Sequence, residues 1–185
     1  ADVPVVRAEA VACKREIARA GAKLGRAEMR ALQKCEDGIV AGKHGGPCPD
    51  AKASEQIAKA GAKTDSAIAK RCGGADGSCA ASADNDPFAT IGWDIGSWPN
   101  FEAGSCANAI AHCGDIATCL RCINDAAVEQ AIDLYYDALA PSTDAAVKKC
   151  QRALGKETAK FFDAKRKALS KCEDVVLAGG TGACP

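Results

Sequence analysis

The sequence predicts an all-α fold, a disulfide-stapled helical hairpin or bundle of about five helices. Three observations indicate this class: apolar stripes of helical period, an internal repeat, and 12 cysteines among 185 residues. Aromatic residues make up only 4% of the chain and many of its hydrophobic residues are alanine, so large side chains cannot supply the core. Cysteine bridges are expected to supply the missing stability of a single domain, residues 1–185.

One segment of the chain occurs twice. Residues 13–42 recur at 150–179 without a gap, shifted by 137 positions, and each repeat runs on through glycines to a Cys-Pro pair. An ungapped match over about thirty residues indicates a duplication. The repeat units are therefore 13–48 and 150–184, and the second is truncated because the sequence reaches Pro185 before a second arm.

Helical spacing sets the predicted elements. Steps of three or four residues separate the apolar positions of the first repeat, which are Cys13, Ile17, Ala20, Leu24, Ala27, Ala31, Cys35 and Ile39. Glycines after residue 41 end this helix, and Pro49-Asp50 begins the next. Asp115 is expected to cap a later helix, and Thr143 or Asp144 the last one. The predicted helices are 5–41, 50–72, 104–113, 116–139 and 143–178, with an irregular Gly- and Trp-containing segment over 73–104.

Hairpin geometry predicts three bridges. The two arms of the first repeat have equal length, roughly 33 Å at 1.5 Å per residue, so cysteines meet in pairs at the turn and at the open end. The expected pairs are Cys35–Cys48 at the turn, Cys13–Cys72 at the open end, and Cys172–Cys184 in the second repeat. The pairing stays open for Cys79, Cys106, Cys113, Cys119, Cys122 and Cys150. Cys150 is expected to reach the 79–113 region or to bond to another subunit.

The last predicted helix has no hairpin partner of its own. Its apolar stripe consists of Leu154, Phe161, Ala164, Ala168 and Val175. Either the middle of the chain or another subunit must bury this stripe. A half-unit capped by a neighbour is a heterologous contact, which predicts a homo-oligomer or polymer. The sequence therefore favours a non-enzymatic, self-assembling structural building block, in a filament or a surface layer.

Two other kinds of function stay open. Trp93, Trp98 and Tyr135 could form a surface or pocket for an apolar ligand or partner, although such rings also fill alanine-lined cores. The cluster of Cys113, Cys119 and Cys122 beside His112 has a spacing that could hold zinc or support redox chemistry. Structural bridges explain the even cysteine number better, so no metal and no cofactor are predicted.

No catalytic residues are predicted. The repeated Glu-Asp pairs, Glu36-Asp37 and Glu173-Asp174, invite an acid–base interpretation. Each pair follows a helix-end cysteine, however, so the repeat itself explains them.

Charge and cysteine usage bear on partners and compartment. The chain has 24 basic and 24 acidic residues, which removes the usual electrostatic basis for binding nucleic acid. No apolar run approaches the ~20 residues of a membrane span. Twelve cysteines, and a start at Ala1 with Met29 as the sole methionine, predict a mature secreted or extracellular chain, in the periplasm or on a cell surface included.

The order of the cysteines also resembles that of a group of proteins. The pattern Cys-x21-Cys-Glu-Asp followed by Cys-Pro, with a Cys-x5-Cys-x2-Cys segment, resembles uncharacterised exported bacterial Cys-rich α-helical repeat proteins. The resemblance covers most of the chain. It implies export and an all-α fold, and it implies no activity.

Overall fold

A computed structural model describes residues 3–80, 85–96, 106–107, 109–136, 140–181 and 183–184. The predicted all-α, disulfide-rich fold is confirmed. The helices in these ranges are α1 (Val3–Val40), α2 (Ala51–Cys72), α3 (Phe88–Ile91), α4 (Cys113–Tyr136) and α5 (Ala145–Leu177). Within the described ranges, no helix has the length and apolarity needed to cross a membrane.

The long helix α1 is the centre of the fold and packs against α2, α4 and α5. Leu24 and Ile17 of the predicted stripe are buried. Met29 and Leu32, which the stripe did not include, are buried as well, in a second cluster with residues of α4. The sequence predicted one apolar face, but α1 buries more than one because three helices surround it.

Helices α1 and α2 form the predicted hairpin. The Asp50 carboxylate caps α2 by accepting a hydrogen bond from the Ala53 backbone N–H at 2.7 Å. The bridges Cys13–Cys72 and Cys35–Cys48 join Cα atoms 5.0 and 5.9 Å apart, at the two ends expected from the spacing. Closing loops with sequence separations of 59 and 13 residues contributes about 4 and about 3 kcal/mol in the chain-entropy model.

Helix α4 lies against both arms of the hairpin, where glycines let it approach closely. A Cβ atom added at Gly21 would lie 3.3 Å from a methyl group of Leu120, and one at Gly61 would lie 3.1 Å from Cδ of Arg121. Arg121 also donates a hydrogen bond to Asp65 of α2 at 2.8 Å. Alanine and glycine on the hairpin thus create the surface on which α4 docks.

The predicted helix over 104–113 is wrong for the residues described, since 106–107 and 109–112 are not helical. The α4 helix begins at Cys113, and Asp115 lies in its first turn instead of capping it. The Asp115 carboxylate accepts hydrogen bonds from the backbone N–H groups of Ala111 (2.8 Å) and His112 (3.0 Å). These bonds hold the last residues before α4 against its first turn. The Cys106–Cys122 bridge joins an earlier residue of the same loop to the middle of α4.

Short helical turns occur in the segment that was predicted to be irregular. A 3-10 turn follows α2 at Gly74–Asp76, and α3 occupies a single turn after Pro87. The Cys79–Cys113 bridge fastens this region to the start of α4. These helical turns span only three or four residues, which is too short for a helical period to be visible in the sequence.

Helix α5 lies antiparallel to α1, because Gln33 bonds the Gly155 carbonyl (3.0 Å) while the earlier residue Arg26 bonds the later residue Asp163 (2.8 Å). Its cap is Asp144, one of the two candidates, whose side chain accepts from two backbone N–H groups of the first turn. The helix is joined to the other helices by packing and hydrogen bonds, whereas one disulfide joins α1 to α2 and another joins α1 to the turn before α2.

Candidate assembly interface

The outer face of α5 is an exposed apolar stripe. It comprises the five residues predicted from the sequence and a sixth, Val147, which lies two helical turns before Leu154. The outer face therefore consists of Val147, Leu154, Phe161, Ala164, Ala168 and Val175. Phe161 is 64% exposed, Val175 54% and Leu154 52%. No part of the chain that the structure describes buries this face, so the expectation that the middle segment covers it is not met by the described residues.

The inner side of α5 is firmly docked, so the outer face is not exposed by detachment of the helix. Phe162 packs against the cluster that contains Met29 of α1. The Asp163 carboxylate forms an ion pair with Arg26 of α1, and the distance from Arg26 Nε to Asp163 Oδ1 is 2.8 Å. Burial alone would raise the pKa of this carboxyl, but hydrogen bonds from Arg166, Lys167 and Arg26 hold the pKa well below its usual range. An ionised Asp163 therefore fixes how α5 is rotated on α1.

Cys150 lies on the outer face of α5, three residues after Val147 and four before Leu154. It is exposed and unpaired. The expectation that Cys150 reaches the 79–113 region is wrong, because the cysteines there bond elsewhere, in Cys79–Cys113 and Cys106–Cys122. The Cys172–Cys184 bridge of the second repeat is present as expected.

Equivalent positions of the two repeats differ in burial. In α1, Cys13, Ile17 and Leu24 are 0%, 4% and 1% exposed. Shifting by 137 positions gives Cys150, Leu154 and Phe161, all of which are exposed. The first repeat is covered by α2, and the second has no such cover in the described chain.

The cluster proposed for metal or redox chemistry is not a set of free thiols. Cys113 and Cys122 are in disulfides, and only Cys119 carries a thiol. Burial raises the pKa of Cys119 to about 11, which makes it a poor nucleophile and a poor ligand. Two other groups of close sulfur and oxygen atoms, around Cys13 and around Cys35, contain disulfide sulfurs in place of thiolates.

Trp93 and Tyr135, two of the aromatic residues proposed for a ligand surface, belong to different clusters. Trp93 packs, half-buried, against the cluster around the Cys13–Cys72 bridge, and Tyr135 packs against the cluster around Met29. Trp98 lies outside the described residues. An open groove of about 380 Å³ between α1 and α2 is lined by alanines and lysines instead, with Leu24 at its base.

The two Glu-Asp pairs have different surroundings. Asp37 accepts a hydrogen bond from the Tyr136 hydroxyl at 3.1 Å, and burial raises the pKa values of Asp37 and Glu36. Glu173 and Asp174 are exposed. A chemistry common to both repeats would need similar surroundings at both pairs.

Sequence reasoning missed two features of this site. Val147 extends the outer face by one heptad, and the signal for it is the seven-residue spacing to Leu154 and Phe161. Tyr136 packs against Gly155 in the first third of α5, where an added Cβ atom would overlap the tyrosine hydroxyl and ring. Glycine at this position of α5 is a signal that could have predicted a close contact.

Comparisons with protein-family models, with curated proteins and with solved structures found no match.

Proposed function

We propose that the protein is a non-enzymatic structural protein, an extracellular helical building block that assembles with further helical units, copies of itself included, through the outer face of α5. The observation that carries this proposal is the uncovered apolar stripe on a helix whose inner side is already docked. A contiguous exposed apolar stripe of this kind is typical of an interaction surface. Association would bury Phe161, Leu154 and Val175 together.

The disulfides support a structural role. Five bridges hold the chain, and four of them lie in the hairpin and in the loops around α4. Bridges of this density are typical of proteins outside the reducing cytosol. A cross-linked hairpin gives α5 a fixed support, so the outer face keeps its shape when a neighbour binds.

The expected product of assembly is open-ended. The outer face of α5 is one surface of the unit. When it binds a different surface of a neighbouring unit, each of the two units keeps one surface free for a further contact. Repetition of such a contact builds a filament or a surface layer.

The proposal is tested by measuring molecular mass against protein concentration, by sedimentation velocity without reductant. The native chain of 18.9 kDa is expected to form larger species as concentration rises. Phe161→Glu, at the centre of the outer face, should abolish them. Leu134→Glu is the matched control, because Leu134 on α4 is also exposed, at 76%, but lies away from that face.

Two results would contradict the proposal. The native chain could keep its single-chain mass at every concentration, which would remove self-assembly. Alternatively, Leu134→Glu could abolish association as fully as Phe161→Glu, which would place the contact elsewhere.

A further inference from the structure

We propose that the outer face of α5 binds an α2-type helix, and that Cys150 forms a disulfide with a cysteine at the C-terminal end of that helix. An α2-type helix is defined as an alanine-rich amphipathic helix of about the 22 residues of α2, antiparallel to the helix it covers. This inference rests on the proposed function, because it names the partner of the same surface.

The first support is what covers the equivalent face of α1. The α2 helix places Ala53 beside Ala31 and Cys35 of α1 at one end of the hairpin. At the other end it places Ile68 and Cys72 beside Cys13 and Ile17. Equivalent positions in α5 carry residues of the same character, apart from Glu157 at the position of Ala20. The exposed ones are Cys150, Leu154, Phe161, Ala164 and Ala168, and Cys172 is half-buried in its own disulfide. Most of the surface that α2 covers in the first repeat is therefore present in the second, where the described residues leave it uncovered.

The second support is that close contacts of α1 with α4 are not repeated in α5. Two residues of α1 that adjoin α4 are changed at the equivalent positions. Gly21, which lets Leu120 of α4 approach, corresponds to Thr158, and Glu28 corresponds to Lys165. A duplicated helix that keeps most apolar positions of its α2-facing side and changes these α4-facing positions fits a partner that resembles α2 more than α4.

The third support is the turn that presents α2. In the first repeat the Cys35–Cys48 bridge closes the turn before α2, with a sequence separation of 13. The second repeat has the same bridge, Cys172–Cys184, with a separation of 12. Each of the two disulfides that hold the α1–α2 hairpin thus has a counterpart in the second repeat. The bridge at the turn is formed, and at the other end Cys150 has a free thiol.

The bond to Cys150 is a thiol–disulfide exchange. The Cys150 thiolate attacks the partner cysteine, which arrives as a mixed disulfide with a small thiol. The new bond joins Cys150 to the partner sulfur, the small thiol leaves as a thiolate, and the Cys150 proton passes to solvent. The mixed disulfide is the oxidant, so no further electron acceptor is needed.

A second copy of α5 fits the same face less well. Leu154, Phe161 and Val175 are large side chains that stand out from this face of α5. Two α5 helices would bring such side chains against each other, which keeps the helices apart. The α2 helix carries small residues, Ala60 and Thr64, where it adjoins Leu24, which leaves space for a side chain as large as Phe161.

The test uses a synthetic peptide of residues 50–73, with Cys72 as a mixed disulfide with nitrothiobenzoate, added to the native full-length chain without reductant. The released thiol reports the rate, and mass mapping identifies the cysteine that reacts. A control peptide with Ala60→Glu and Ile68→Glu disrupts the docking side, and another with Ala62→Glu changes the exposed side. Rates are divided by the rates of the same peptides with free glutathione.

The unchanged peptide and the Ala62→Glu peptide are expected to label Cys150 at least about tenfold faster than the double-glutamate peptide, a ratio that corresponds to about 1.4 kcal/mol of docking energy. Phe161→Glu in the chain should remove this advantage. Equal corrected rates for all three peptides would overturn the inference, as would labelling that is unaffected by Phe161→Glu.

The failure of this inference differs from failure of the proposed function. If the chain associates with itself through Phe161 and links Cys150 to Cys150 while the peptides show no rate difference, the assembly role stands and the α2-type partner is wrong. If the peptide docks while the native chain stays at its single-chain mass, the partner is supported and self-assembly is wrong.

Discussion

The two repeats of this chain have nearly the same pattern and opposite surroundings. In the first, α1 is enclosed by α2, α4 and α5, and two disulfides join it to α2 and to the turn before α2. In the second, α5 is docked on one side and carries its apolar stripe on the other. The difference teaches that an apolar helical period predicts a surface that can be buried, whereas the neighbouring elements decide whether it is.

The largest expected difference concerns the cysteines at the start of each repeat. Replacing both Cys13 and Cys72 by serine should lower the free energy of unfolding by about 4 kcal/mol, because the bridge closes a long loop. Cys150→Ser should change it by less than about 0.5 kcal/mol, since Cys150 is exposed and unpaired. Urea unfolding without reductant measures both. A large loss in Cys150→Ser would show that this cysteine has a partner within the chain.

The next difference concerns the large residue at the middle of each stripe. Leu24→Ala should cost about 3 kcal/mol, since the side chain is fully buried and leaves a cavity. Phe161→Ala, at the equivalent position, should cost less than about 0.5 kcal/mol in dilute solution. Urea unfolding at a concentration where the chain is monomeric compares the two. Similar losses would mean that the outer face of α5 is covered within one chain.

A smaller effect on the free energy of unfolding is expected at Glu28, an acidic residue of the first repeat that corresponds to the basic residue Lys165 in the second. Burial raises the pKa of Glu28 to about 8, and the nearby charge of Asp125 adds to the effect. The folded-state pKa lies above the unfolded one, so this contribution to stability is full below about pH 4.5 and is lost as pH rises through about 8. Glu28→Gln should therefore stabilise the chain by about 2 kcal/mol at pH 9 relative to pH 6.5. Glu157→Gln, on exposed α5, is the control and should show no such pH dependence in urea unfolding curves.

The smallest effect concerns the polar contact that joins the two repeats. Asp163→Asn should weaken the docking of α5 on α1 by about 1 kcal/mol, because the partly exposed carboxylate loses its charge toward Arg26. Hydrogen exchange should become faster in α5 and stay unchanged in the α1–α2 hairpin. Faster exchange in both regions would indicate that α5 and the hairpin unfold as one unit.

Much of the fold could be predicted from local pattern. The α1–α2 hairpin follows from helix length, glycine at the turn and the Asp50 cap, and the same arithmetic places three of the disulfides. The second buried face of α1 could not be predicted, because Met29 and Glu28 are buried by helices distant in sequence. The loop before α4 was misread because Asp115 bonds backward to the loop instead of capping forward.

The candidate site was only half predictable. The stripe of α5 was visible in the sequence, because its period is helical. Its exposure was not, since exposure depends on what else packs there. The pairing of the cysteines around α4 also depends on tertiary structure, because six cysteines allow 15 connectivities. The segment that carries Cys79 and Cys106 has no helical period from which their positions could be predicted.

The central claim is that the described residues leave the second repeat without the covering helix and the cysteine partner that the first repeat has. The most direct measurement is the intact mass of the native protein without reductant, combined with thiol labelling. The account predicts a mass about 10 Da below the fully reduced value, since each bridge removes about 2 Da. It also predicts rapid labelling of Cys150, and labelling of Cys119 only after unfolding. A monomeric mass about 12 Da below the reduced value, with no reactive thiol, would mean a sixth internal bridge and would contradict the account.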